Sequence, residues 1–169
     1  YILVRFSKWQ FSLGAVIAAF HDVLIVLSIF SIFYGILPFS LEIDQAFIAA
    51  ILTIIGYSLN DTVVVFDRVR ENLRKYKKTE LKDVLNLSIN ETLSRTVMTS
   101  VTTLLALISL FVLGGDVIRG FVFAMIWGVI VGTYSSVFIA SNILLRLGVK
   151  RDWSKPSAGA GTQFSGIDA

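Results

Sequence analysis

Apolar residues come in four runs, at approximately 11–35, 45–66, 94–113 and 121–147. A bilayer crossing takes roughly 20 helical residues, and each run supplies about that many. The breaks between runs carry turn chemistry, with Gly35 and Pro38 after the first and Gly114-Gly115-Asp116 after the third. Helices of a soluble bundle would show polar outer faces, and these runs show almost none. The pattern predicts an all-α membrane protein, a bundle of transmembrane helices. Between the second and third runs the pattern changes. Leu81, Val84, Leu85, Ile89 and Leu93 recur at helical spacing, with Lys82, Asp83, Asn86 and Asn90 between them. That is the pattern of an amphipathic helix, expected over about 80–93 along the membrane surface and running into the third span. Ser88 to Glu91 has the form of a capping box, which would allow a helix break there.

Composition agrees with this class. Hydrophobic residues make up 55% of the chain, and mean hydropathy is +0.76, above the norm for soluble domains. With no cysteine, disulfides and thiolate chemistry are excluded. A single histidine leaves no credible zinc site, and no other metal or cofactor is called for. The net charge of +3 is no argument for nucleic acid, but its distribution carries information. Arg5 and Lys8 precede the first run, and Arg68, Arg70, Arg74, Lys75, Lys77, Lys78 and Lys82 lie between the second and third. Arg146, Lys150, Arg151 and Lys155 end the fourth. The other two connections hold Glu42, Asp44 and Asp116 against Arg119. Positive charge accumulates on the cytoplasmic side, so both ends and the long middle segment are expected in the cytoplasm. The basic middle segment also suits lipid headgroups.

The organisation that follows has five parts. Residues 1–10 read as the end of a preceding span and a cytoplasmic loop, and 11–66 as two transmembrane helices. Residues 67–93 form a basic cytoplasmic loop with its amphipathic helix, and 94–147 two further transmembrane helices. The last part, 148–169, is a cytoplasmic tail, Ser/Gly/Ala-rich from about Ser154 and expected to be disordered. The chain opens on Tyr1-Ile2-Leu3-Val4, without a secretory signal peptide. It is expected to be the C-terminal part of a larger membrane protein.

Asp61 is the residue that most needs a reason. From Ala46 to Ile55 the one polar side chain is Thr53, and Val63, Val64, Val65 and Phe66 follow the carboxylate. An ionisable group inside a span costs a few kcal/mol even on lenient scales of about 2.5–3.5 kcal/mol, so it must face protein or water. Arg95 is its expected counterpart. From the outer ends of their antiparallel helices, Asp61 lies roughly 21 Å deep and Arg95 roughly 27 Å. Both fall in the cytoplasmic half, within reach of each other given ordinary tilt. A carboxylate that pairs in one state and separates in another can take up and release a proton. Snorkelling to the interface is the other use of such an arginine. Against it stands the stripe Arg95, Thr99, Thr102, Ala106 and Ser109, small and polar at helical spacing, which is expected to face protein. Gly56, Tyr57, Ser58, Asn60 and Thr62 answer it on the second span. His21 and Asp22, about ten residues into the first span, are either a second proton station or a contact between helices. Gly128 and Gly132 form a GxxxG pair, which favours close helix packing. No Gly-rich phosphate loop, nucleophile elbow or HExxH helix is present, so an enzyme acting on covalent bonds has no support.

The run Gly56-Tyr57-Ser58-Leu59-Asn60-Asp61-Thr62-Val63-Val64-Val65-Phe66-Asp67-Arg68-Val69-Arg70-Glu71-Asn72 closely resembles the signature of the SecF family. These are membrane subunits of the bacterial Sec export machinery. Phe20-His21-Asp22-Val23 resembles its preceding-span motif, and Leu93-Ser94-Arg95-Thr96-Val97-Met98-Thr99-Ser100 its following one. Related SecD chains carry a different version of 56–72. The resemblance, over about residues 5–150, implies half of a pseudo-symmetric bundle of the resistance–nodulation–division type, completed by SecD, in the bacterial inner membrane. It further implies a proton-driven machine assisting preproteins through the SecYEG translocon, without a cofactor of its own. Asp61 and Arg95 match the family's intramembrane charged positions, and a further carboxylate is expected from SecD. The family's first span and large periplasmic domain are not part of this sequence. Two other readings remain, a small-molecule exporter of the same superfamily and a scaffold whose charges only lock helices together.

Overall fold

The computed structural model describes residues 8–149 together with Ile2 and Phe6. The expected tail from Lys150 onward, and Arg5 at the other end, lie outside the described residues. Helix α1 spans Trp9–Phe33, α2 Gln45–Lys75 and α3 Leu81–Leu113. The fourth span is composite: α4 over Asp116–Tyr134, a π-helical turn over Ser135–Ile139, then α5 over Ala140–Leu147. Among the described residues these make four helices long and apolar enough to cross a membrane. Two local devices set the ends. Asp44 caps α2, its carboxylate accepting from the Phe47 amide at 2.8 Å, which satisfies a donor that the helix leaves free. Gly148 closes α5 in the left-handed region at φ 56, where a side chain would be strained.

The helices overrun the apolar segments. α2 continues nine residues past Phe66 to Lys75, and α3 is unbroken from Leu81. At 1.5 Å per residue α3 is about 50 Å long, more than the roughly 30 Å hydrocarbon core. The allowed break at Ser88–Glu91 does not occur. Ser88 Oγ instead donates to the Val84 carbonyl one turn back at 2.7 Å, and Glu91 reaches across to α2. The amphipathic segment is thus a continuation of the third span, packed through buried Val84 and Leu85.

The fourth span sits centrally, with α4 in contact with α1, α2 and α3. Packing divides the interior into two apolar cores. Near the α2–α3 turn, Phe11, Val65, Phe66, Val69, Val84 and Leu144 pack together, and Phe11 meets Phe66 edge-on at 5.2 Å. At the other end the core includes Val26, Phe30, Phe47, Ile54, Val122 and Met125. On each of the four spans, a stretch between its two core contributions belongs to neither.

Candidate functional site

Those intervening stretches carry buried polar residues. They are Asp22 on α1, Ser58, Asp61 and Thr62 on α2, Thr96 and Ser100 on α3, and Ser135 and Ser136 in the π turn. A polar belt therefore crosses the bundle between two apolar cores. Burying polar side chains is costly unless each finds a partner, so the pairing within the belt separates fixed members from free ones.

Asp22 is fixed. It is fully buried, and its Oδ2 accepts from Ser58 Oγ at 2.5 Å and from Ser135 Oγ at 2.8 Å. Its Oδ1 lies 3.2 Å from His21 Nδ1. The carboxylate thus ties α1 to α2 and to the π turn. Gly132 permits this approach, since a Cβ there would stand 3.2 Å from Ser58 Cβ. Gly128 allows a tighter one: its Cβ would lie 2.2 Å from Ile54 Cγ1. Gly56, expected to pack helices, faces open space within this chain. It lies two residues from both Ile54 and Ser58, about 200° around α2 from the surface that meets α4.

Asp61 is free. It is 8% exposed, and its Oδ2 is buried without a hydrogen-bond partner. Arg95 is the charged group whose field reaches it, yet no salt bridge joins the two among the described residues. The expected contact is therefore an electrostatic neighbourhood rather than a closed pair. The reason lies in the rotation of α3. From Thr92 onward its buried positions are Thr92, Thr96, Ser100 and Leu107, whereas Arg95, Thr99, Thr102, Ala106 and Ser109 are all exposed. The stripe expected to face protein is turned away from this chain's own interior. Thr99 and Thr102 satisfy their hydroxyls on α3's own carbonyls, and Asn60 is exposed on α2.

Sequence reasoning missed two features. Ser135, which the sequence did not single out, is a principal partner of Asp22; its place three residues after Gly132 was the available signal. The second is a clasp beyond the belt. Glu91 Oε2 accepts from Arg68 Nε and from Asn72 Nδ2, each at 2.7 Å. Arg68 Nη1 also donates to Glu71 at 2.7 Å, and Asn72 Nδ2 to Ser88 Oγ at 3.0 Å. These bonds hold the Glu91 carboxyl below its ordinary range, Arg68 contributing most and Asn72 next. Beside the clasp opens a cleft of about 330 Å3, lined by Asp67, Arg68 and Glu71 from α2 and Glu91, Thr92 and Arg95 from α3.

Comparison with known proteins adds identity to this geometry. Residues 1–150 match the family model described as protein export membrane protein SecD/SecF, C-terminal. The chain belongs to this family. It is 59% identical, over its whole length, to the protein translocase subunit SecF of Cereibacter sphaeroides, of which it covers 50%. It is 63% identical to that of Rhodothermus marinus over 147 residues, covering 87% of this chain and 47% of the relative. The chain thus spans about half the length of the curated relatives it matches. A crystal structure of SecDF in a super-membrane-facing form matches with TM-score 0.80 and 44% identity, over 87% of this chain and 19% of that one. The relatives it matches bear the name of protein translocase subunits.

Proposed function

We propose that this chain is a SecF-type membrane segment that works with SecD to turn the proton-motive force into preprotein movement through SecYEG, at the bacterial inner membrane. Asp61 is the proton carrier. The observation that carries this reading is its unpartnered Oδ2, buried in a span whose apolar course gives a bare carboxylate no structural use. A proton bonds to Asp61 from one side of the membrane and leaves to the other, with no change of oxidation state. Arg95 stabilises the ionised form and is released when the proton arrives. Moving one charge across the potential is worth about 2.3 kcal/mol per 100 mV, enough to bias a two-state equilibrium.

Asp22 has a different part in this scheme. A carboxylate already accepting from two serines is a fixed tie, and we assign it to holding α1 and the π turn on α2 rather than to carrying the proton. His21 supports it. The outward stripe of α3 argues for a partner: Arg95 exposed at the level of the belt is poorly suited to lipid tails, and SecD supplies a covering surface. Both ends of the segment are assigned to the cytoplasm by the charge distribution.

The test is gradient-driven export in vesicles containing the complete SecD–SecF complex, with assembly verified separately. Asp61→Asn is expected to assemble and to lose stimulation by the gradient. Asp61→Glu retains an ionisable group and should keep partial activity. Arg95→Lys keeps the charge without the planar fork and should be intermediate. Full gradient stimulation in an assembled Asp61→Asn complex would overturn the proposal.

A further inference from the structure

The cleft beside the clasp contains two groups that the relay reading leaves without a role, Glu91 and Arg68. Glu91 lies four residues before Arg95 on α3, the helical spacing and order in which a carboxylate and a cation meet most favourably. Both line the same open cleft. Arg95 is exposed and has no ion pair among the described residues, so its side chain is free to move in that space. Around Glu91, α2 presents Asp67, Arg68 and Glu71, with Lys75 adding its field, and α3 presents Arg95.

The hydrogen bonds in the clasp show that releasing Glu91 leaves no group stranded. Arg68 would keep Glu71, and Asn72 would keep Ser88. Each present partner of Glu91 therefore already holds a second one, which makes exchange inexpensive. We propose that Glu91 is the alternate counter-ion of Arg95. In the arrangement seen here, Arg68 and Asn72 hold Glu91; in the proposed cycle this is the state in which Asp61 is ionised and Arg95 acts on it. When Asp61 takes a proton, Arg95 swings about one helical turn along α3 to Glu91, which leaves the α2 side of the clasp. Loss of the proton from Asp61 draws Arg95 back and re-forms the clasp. Glu91 is thus a positioning residue: it sets how readily Arg95 gives up Asp61, and it couples proton occupancy to contact between the ends of α2 and α3. The inference rests on the Asp61 relay.

The experiment measures gradient-driven preprotein import into inverted membrane vesicles carrying full-length SecD and SecF with the translocon. The pH of the lumen, the proton-donating side, is varied. Glu91→Gln removes the second counter-ion and leaves Arg95 with Asp61. Its profile is expected to move toward acid by about one pH unit, the usual effect of strengthening one close charge pair. Arg68→Gln frees Glu91 for Arg95, and its profile should move the other way. Glu91→Asp, with a shorter reach, should restore part of the wild-type profile. A clasp with only a structural role would make both variants lose export without opposite shifts, and that result would overturn the inference. Unchanged profiles in both variants would overturn it as well, while loss of gradient stimulation in Asp61→Asn would leave the relay standing. Full stimulation in assembled Asp61→Asn vesicles would remove the relay and this inference together.

Discussion

Two carboxylates within one belt differ in what surrounds them, and that difference is the ground for the separate roles proposed for them. Asp22 fills its acceptor sites with hydroxyls from two other segments, whereas Asp61 leaves Oδ2 bare. Asp22→Ala should leave Ser58 without its acceptor and cost about 1–3 kcal/mol of stability. Asp22→Asn keeps one oxygen acceptor and should cost less. Denaturation of the purified protein in mixed micelles reads both, and the expected order is wild type, then Asn, then Ala. Asp61→Asn removes no hydrogen bond from Oδ2, so its stability should remain near wild type. At the residue scale the sequence identified both carboxylates, because an acid inside an apolar run is conspicuous. It left Asp22 open between proton station and helix contact. That choice depends on Ser135, which is 113 positions away and brought in by a π turn that no local pattern announces.

Elements were read with uneven success for physical reasons. Run length alone reveals a span, so the four helices of the bundle are legible. Their ends are not, because α2 and α3 extend beyond the apolar runs as a hairpin held by Asn72, Ser88 and Glu91. The Ser88–Glu91 spacing looked like a cap; both side chains instead serve contacts made in the middle of a helix. The face that α3 turns inward was equally hidden. Thr92, Thr96 and Ser100 are as small and polar as Thr99 and Thr102, so residue type cannot choose between adjacent stripes. Two predictions belong here. In Gly128→Ala the new methyl would overlap Ile54, and relief by shifting the helices should cost about 1–3 kcal/mol. Combining it with Ile54→Ala removes the overlapping atoms, so the double variant should be less destabilised than the sum of its parts. Unfolding midpoints of the four proteins in the cycle measure this. The clasp also has a pH dependence. Arg68, then Asn72, hold Glu91 below its ordinary range. The contribution is therefore complete above the ordinary glutamate pKa of about 4.3 and is lost as pH falls through the lowered value. With no gradient applied, spin labels at Arg74 and Asn90 should keep one separation at neutral pH and spread in acid below that ordinary value.

For the whole molecule, the central fact is how unevenly the four spans are covered. Within its most apolar window the fourth span is 56% buried and α3 only 17%. The fourth span is the axis of this bundle, and α3 is a wall awaiting a neighbour. Lipid can cover an apolar wall, and threonines bonded to their own backbone are tolerated there. An arginine in that wall is different, and so is a glycine such as Gly56 with open space before it. The stripe expected to face protein is exposed within this chain, because Thr92, Thr96 and Ser100 take the inward face of α3. In the proposed two-bundle assembly with SecD, this stripe lies between bundles. The 169 residues contain no cysteine, so within them a single introduced cysteine reports on its own position. In the assembled complex, Thr99→Cys and Thr102→Cys should each cross-link to cysteines on a SecD span. Thr96→Cys and Ser100→Cys, on the buried face of α3, should not. Gly56→Ala should leave the fold of this chain intact yet weaken its association with SecD, read by co-purification. Cross-linking confined to Thr96 and Ser100, with none from Thr99 or Thr102, would mean that the outward face of α3 meets lipid and that SecD docks elsewhere.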